Sequence, residues 1–482
     1  MRAENGYLTV YMTLCLTLLL SLFMTLIDGA RRNGAAMEAA CVAEIGLESV
    51  MAEYHRELFD QYNLFAVDSS YGTGKQGTEN TEAHLIKYLQ KNLSLQDVFL
   101  SSFLYRDFLG LQLDAVKMTG MSILTDSGGA VFRRRCAEAV EDDLGLSALA
   151  ELQEWLKVIE VNGLDDAEIQ SQKEEADRQI QEYVYADQEG EQHEGVENPT
   201  MILEEQRRLG ILRLAVGDEE LLSHNTLKLS GLIGSRMEQG MISQGNLAPP
   251  ETKWTQDLAE RFFFQEYLLR YMGHYGNESE QDAIKYQIEY LIVGKENDIE
   301  NLRSVANRIC AVREAANALY LLSDTVKLEE VMLVAEGICT LLMVPELAPV
   351  LEIAIILGWA YAESVYDVKT LLSGGKVPLI KDSATWHYGL QNILVGSLDD
   401  TLDGTSKGDG LKYEDYLRIF MSLTSLDKLT VRAMDMVEAD IRMTENNQSF
   451  CLDGCYDRVQ FDIRMSSSFG YEYQLSREKA YG

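Results

Sequence analysis

Residues Tyr7 to Ile27 read YLTVYMTLCLTLLLSLFMTLI, twenty-one positions without a charge, bracketed by Glu4 and Asp28. At 1.5 Å per residue the run predicts a helix about 30 Å long, the thickness of a bilayer's hydrocarbon core. A secretory signal carries a shorter apolar core, roughly 7 to 15 residues ending at a small-x-small site, so the length favours a retained anchor over a removable leader. Beyond Asp28 the helical period continues. Ala36, Ala39, Ala40, Ala43, Leu47, Val50, Met51 and Tyr54 recur with Glu38, Glu44, Glu48 and Glu53 set between them. One helix from about Tyr7 to about Leu58, roughly 78 Å long, is expected. Its lower half would lie in lipid and its upper half would pack against a head as a stalk.

The pattern then changes several times. Tyr62 to Gly77 (YNLFAVDSSYGTGKQG) predicts a short strand entering a Gly-rich turn, Glu82 to Asn92 a helix, and Leu109 to Ile123 a strand of partial period two. Phe132 to about Glu160 is helical again. Asp165 to Glu197 holds twelve acidic residues against Lys173 and Arg178, which predicts a solvated helix followed by a flexible acidic loop. From Pro199 to about Leu426 helix follows helix: Met201 to Leu214, Leu227 to Gly240, Trp254 to His274, Glu280 to Ile292, Asp298 to Ser323 and Leu328 to Leu372, with a break at Pro249 and Pro250. Ile338 to Glu363 is apolar enough to suggest a second span. Pro345, Glu346, Pro349 and Glu352 interrupt it, leaving only Ile353 to Ala362 clean, so a buried helical hairpin is expected. At the C-terminus Val459, Phe461, Ile463 and Met465 alternate with Gln460, Asp462 and Arg464, and Tyr471, Tyr473 and Leu475 alternate with Glu472, Gln474 and Ser476. That is a β-hairpin, and two strands alone are marginal, so it must join strands near Leu64 and Leu113. The expected fold is α+β and predominantly α: a transmembrane and stalk helix (1–58), a head built from both chain ends (59–135 and 449–482), and a large inserted helical domain (136–448) with its acidic loop near 165–197.

Composition adds a constraint on partners. Among 482 residues, 77 acidic and 42 basic side chains give a formal net charge of −35, which repels phosphate backbones, so nucleic acid is not an expected partner. Orientation is less directly written. Arg2 and the terminal amine precede the span and Arg31 and Arg32 follow it, a count that mildly favours a cytoplasmic body. Against it, the margin is one charge, the leader is six residues long, and large acidic domains translocate largely regardless of charge. Of seven cysteines, Cys15 lies in the span. Cys451 and Cys455 could close a small disulfide loop or sit reduced, and a CxxxC with no second pair is a poor metal signature.

Catalytic templates do not fit. None of the six histidines (His55, His84, His193, His224, His274, His387) lies within four residues of another, so the helical zinc pair is missing. Gly294-Lys295 resembles the end of a phosphate loop, yet Glu289 and Glu296 stand where glycine and Ser or Thr belong. No G-x-S-x-G elbow occurs. Asp399, Asp400, Asp403 and Asp409 give no calcium-loop register and predict a polar turn. Tyr413, Tyr416 and Tyr361 with Trp359 could line a ligand groove or sit at the core boundary. No enzymatic activity, cofactor or metal is expected. A membrane-anchored hydrolase using paired carboxylates remains a third reading, one that buried acids at catalytic separation would favour.

The segments GYLTVYMTLCLTLLLSLFMTLIDGARRNGA, ESVMAEYHRELFDQYNLFAVDS, IEYLIVGKENDIENL, LLSGGKVPLIKD and GLKYEDYLRIF together resemble a bacterial family of unknown function, mainly from Firmicutes, that occurs in gene clusters for tight adherence (Tad) pili. The N-terminus and C-terminal strands are similar in layout to minor pseudopilins of the TadE and TadG type. The resemblance implies a body outside the cell membrane on a single-pass anchor, contacts with lipid through residues 7–27 and with other pilus or secretion components, and an accessory role without catalysis. It also makes Gly6 and Tyr7 a candidate leader-processing site. Type IV prepilins carry glutamate at the fifth place after the glycine, where this chain has Tyr11, which argues for a minor or accessory component over a major subunit. The alternative is an extracytoplasmic module that binds a ligand or partner.

Overall fold

A computed structural model describes residues 4–94, 109–141, 146–164, 168–186, 192–194, 203, 207–248, 257–395 and 409–481. In chain order its helices are α1 (Glu4–Met51), α2 (Arg56–Tyr62), α3 (Thr78–Leu93), α4 (Asp126–Glu141), α5 (Leu146–Val161), α6 (Glu168–Glu182), α7 (Ile211–Val216), α8 (Ile233–Glu238), α9 (Asp257–Tyr271), α10 (Gln287–Val293), α11 (Asp298–Ser323), α12 (Thr325–Leu341), α13 (Ala348–Leu372), α14 (Leu390–Val395), α15 (Tyr413–Leu423) and α16 (Leu426–Met443). The strands are β1 (Val67–Asp68), β2 (Leu111–Ile123), β3 (Val184–Ala186), β4 (Gln192–Glu194), β5 (Cys455–Ser467) and β6 (Glu472–Ala480). The protein is mostly helical, with one four-stranded antiparallel sheet drawn from both chain ends and an apolar N-terminal helix. It divides into two compact units, Met1–Phe132 with Arg236–Thr252 and Thr444–Gly482, and Arg133–Ser235 with Lys253–Met443.

In the first unit β5 is the central strand. Along it Val459, Phe461, Ile463 and Met465 are fully buried, and this period-two apolar face makes it the natural centre of the sheet. β2 pairs along one side, from Leu111 opposite Ser467 to Ile123 opposite Tyr456, and β6 and β1 share the other side. Three register shifts in β2, at Leu113/Ala115, Met118/Gly120 and Ser122/Ile123, add local twist. The outer edge of β2 is partly closed by Asn246. Its backbone N–H donates to Met121 O (3.0 Å), its side-chain amide donates to Thr119 O (2.8 Å), and its Oδ1 accepts from Met121 N (2.9 Å). A side chain thus supplies the ladder bonds of a missing strand, which blunts an edge that would otherwise template pairing.

The upper half of α1 lies in this unit's core through Ala35, Ala39, Ala43, Leu47 and Val50. Gly46 sets the approach to α3: a Cβ there would sit 2.7 Å from Leu89 Cδ2 and 3.0 Å from Leu85 Cδ1. The helix stops at Met51, short of the expected Leu58. His55 ends it by starting another: its N–H donates to Ala66 O (2.9 Å) and its Nδ1 caps α2 by accepting from Leu58 N (3.2 Å).

In the second unit α13 is the core helix, packed on α11 and flanked by α12, α6 and α7. Almost every residue from Ala354 to Leu372 is buried. The span-like segment Pro345–Leu372 has 72% of its most apolar window buried, whereas the corresponding window of α1 is 0% buried, so only α1 offers its apolar surface outward. A second group packs α10 against α11, α15 and α16. Two expected helices shrink, Leu227–Gly240 to α8 and Glu280–Ile292 to α10, while in the expected Met201–Leu214 the described residues 203 and 207–209 are helical and Gly210 separates them from α7. Within the acidic segment, β3 pairs with β4 where a loop was expected. Residues 165–167, 187–191 and 195–202, with Pro249, Pro250, Asp399, Asp400 and Asp403, lie outside the described residues.

Candidate functional site

α1 is long and apolar enough to cross a membrane, and Tyr7 to Ile27 are exposed apart from a half-buried Cys15. Three of its threonine hydroxyls are bonded within the helix: Thr13 Oγ1 donates to Thr9 O (3.0 Å) and Val10 O (2.8 Å), Thr17 Oγ1 to Thr13 O (2.5 Å) and Thr25 Oγ1 to Ser21 O (3.1 Å). Back-bonding of this kind lets hydroxyls sit in hydrocarbon without unpaired donors. Where the apolar run ends, the β5–β6 turn meets the helix. Arg31 lies 4.3 Å from the Phe469 ring centroid, Tyr471 O–H donates to Asp28, and Tyr473 O–H donates to Arg32 O (3.0 Å). Further along, Lys479 reaches Glu44 (2.7 Å) and Glu48 (3.1 Å), and Tyr481 O–H donates to Met51 O. β6 therefore runs along the stalk from Asp28 to Met51. Gly6 and Tyr7 lie in the first turns of α1, with Tyr7 82% exposed.

Cys451 and Cys455 flank the short turn Leu452–Gly454 as separate thiols, Cys455 Sγ donating to Cys451 O at 3.7 Å and Cys451 Sγ to Ser449 O at 3.6 Å. Gly294 ends α10 with φ 85°, and a Cβ would lie 2.2 Å from the Arg432 guanidinium. The phosphate-loop look-alike is thus a helix C-terminus, the wrong end of a helix for an anion. Among the described residues no group of three or more His, Cys, Asp or Glu is placed to hold a metal ion.

Two polar centres among the described residues of the second unit combine several charged side chains. The first is buried among α11, α13 and the segment 378–388. Arg313 Nε donates to Asp367 Oδ2 (2.9 Å) and its Nη1 to the carbonyls of Pro378 (2.8 Å) and Leu379 (2.6 Å). Lys381 bridges Asp367 Oδ1 and Glu363 Oε1. Glu363 also accepts the backbone N–H groups of His387 and Tyr388 (both 3.0 Å) and faces His387 Nδ1 at 3.1 Å. Burial raises the Glu363 pKa, but the His387 hydrogen bond and the Lys381 ammonium outweigh it and hold the carboxyl at about 2. Two acids and two bases cancel formally, which is the condition for charges to persist in a core. Tyr416, Tyr361 and Trp359 are buried core residues, Tyr416 beside Arg313 and the Trp359 indole donating to Tyr388 O (2.8 Å).

The second centre is open. A cleft of about 540 Å³ is lined by Glu266 and Arg270 of α9, His274 and Asn277 of the turn that follows, and Glu414 and Arg418 of α15. Arg418 is saturated, forked onto Glu266 (2.7 and 3.3 Å) and bonded to Asp415 (2.8 Å). His274 is 4% exposed, and its Nδ1 must donate to Tyr275 O (2.9 Å), since a carbonyl only accepts. Its Nε2 faces Glu414 Oε1 at 3.9 Å, too far for a hydrogen bond. The neighbouring Tyr275 N–H donates to the fully buried Glu289 (2.9 Å), which also accepts from Tyr413 O–H (2.7 Å), and burial raises the Glu289 pKa. Burial likewise pushes Asp282 up to about 6.

A model of a family of unknown function, DUF5702, matches residues 189–467. The chain belongs to DUF5702. No curated protein and no solved structure matches it. The DUF5702 match begins in the acidic segment and ends at the last residue of β5, so it covers both polar centres and leaves α1, β2 and β6 outside. In this DUF5702 chain the charge cluster had a visible signal: Glu363 and Asp367 stand four residues apart inside the most apolar helix of the helical unit, where acids are costly unless paired. The His274 cleft had none, because its residues come from segments far apart in sequence.

Proposed function

We propose that this protein is a non-enzymatic, single-pass, membrane-anchored accessory component of a Tad-type pilus or secretion apparatus, pseudopilin-like in layout, with its body outside the cytoplasmic membrane. The observation that carries the proposal is the continuity of α1. One helix of 48 residues, about 72 Å, runs from the apolar segment into a core closed by the C-terminal hairpin. Such a helix transmits force between bilayer and head without a hinge, as a part that tethers or seats a surface fibre must. The buried carboxylates support a non-enzymatic role: Glu363, Asp367, Asp298, Asp440 and Glu289 accept backbone or side-chain donors and act as pins for loops. Protease shaving of intact cells and deletion of the gene, followed by a search for surface fibres, test the proposal. Shaved protein and lost or altered fibres are expected, and unshaved protein with normal fibres refutes it. A second reading, a partner- or ligand-binding module on the same anchor, is favoured by the open cleft at His274.

A further inference from the structure

A histidine that is 4% exposed, with one ring nitrogen fixed and the other facing a cleft, is an acceptor built for something. Fixing Nδ1 as the donor to Tyr275 O leaves Nε2 of the neutral ring with a lone pair and no hydrogen bond among the described residues. Glu414 Oε1, 3.9 Å away, is a second acceptor, and the Glu414 carboxylate accepts no hydrogen bond among the described residues either. Two acceptors at that spacing can share one donor nitrogen seated about 2.9 Å from each. The lining also carries two cations, Arg418, consumed by Glu266 and Asp415, and Arg270, which lies 5.9 Å over the Tyr271 ring, so the case for a donor rests on the two open acceptors and not on net charge. The cleft's size falls within the roughly 300–1,000 Å³ of small-ligand sites.

We propose that this cleft binds a protonated amine, with its N–H groups donated to His274 Nε2 and Glu414 Oε1. The assignment names the ligand class of the second reading and stands independently of any role in a fibre. An ammonium is favoured over an anion because both open groups are acceptors, and over a bare metal ion because no third ligand is placed to complete a site among the described residues. An amine reaches the cleft either as a free small molecule or as a lysine side chain of a partner.

The test uses the full-length chain in detergent, selectively ¹³Cε1-labelled at histidine, so that only six resonances arise. It is titrated at constant ionic strength with n-butylammonium, with an N-acetyl-lysine amide peptide, and with tetramethylammonium, a cation that cannot donate. The His274 resonance is expected to shift with the two donors and not with tetramethylammonium. Tighter binding of the peptide assigns the site to a partner's lysine, and equal binding assigns it to a free amine. Glu414→Gln changes a half-exposed side chain with no structural bond to lose, and is expected to weaken binding about tenfold, the loss of one charge-assisted hydrogen bond. A shift with all three cations alike, no shift with either donor, or unchanged affinity in Glu414→Gln overturns the assignment and leaves a cleft that holds water alone.

Discussion

Replacing Lys381 with methionine is the sharpest perturbation of the core. The Lys381 side chain is 1% exposed, and its ammonium contacts both Glu363 and Asp367. Methionine fills similar volume, so packing changes little and the effect is electrostatic. Without Lys381, Asp367 keeps Arg313 (2.9 Å) and Asn317 Nδ2 (3.0 Å), while Glu363 keeps two backbone N–H groups and His387. The cluster falls from formal neutrality to one uncompensated negative charge. Breaking a buried pair from one side costs about 3–5 kcal/mol, or about 6–20 °C in unfolding midpoint at about 2–4 °C per kcal/mol. Glu363→Gln in the same chain removes the surplus charge, so the double variant should recover part of the loss, with a coupling of about 1–3 kcal/mol. Urea and thermal unfolding of the detergent-solubilised chain, followed by circular dichroism, measure both. A Lys381→Met variant within about 1 kcal/mol of the parent, or a double variant as unstable as the sum of the singles, would refute the view that these charges balance one another.

Three further outcomes are expected. Gly46→Leu drives a side chain into Leu89 and Leu85, and should destabilise the stalk against α3 by about 1–3 kcal/mol, read as faster proteolysis of the first unit. Asn246→Ala deletes the two side-chain bonds that close β2 at Thr119 and Met121, costing about 1–2 kcal/mol; hydrogen exchange at Met121 N–H reports it. Glu363 is held below its unfolded value, so it binds a proton less readily when folded, and its contribution is whole above about pH 4.3. That contribution is lost as the pH falls toward about 2, and Glu363→Gln should show a shallower acid profile over this window; equal profiles would contradict it.

Elements whose residues repeat a single pattern are legible in the sequence. Asp298–Ser323 was expected with the bounds that α11 has, because Asn297 caps its start and apolar positions recur to its end. The alternation of Val459 to Met465 marked β5, and the joining of both chain ends into one sheet followed from the instability of a lone hairpin. Long-range polar chemistry was not legible. The return of 236–252 to the first unit depends on Asn246 imitating a strand, which no local pattern announces. The break of the stalk at Met51 depends on His55 meeting Ala66 and Leu58. The cleft joins residues 266–277 to 414–418, and its open acceptor depends on the His274 tautomer, which a carbonyl one residue away decides.

Cys41 tests the central claim most directly. It is exposed on α1, fourteen residues beyond the last residue of the apolar run, at a point that must lie outside the bilayer if Tyr7 to Ile27 span it. A membrane-impermeant maleimide applied to intact cells should label Cys41, with Cys41→Ser in a Cys451→Ser background as the control for the half-buried Cys451. Labelling of Cys41 in intact cells is the predicted result. Labelling that appears only after the cells are broken would place the body on the cytoplasmic side and contradict the proposed role.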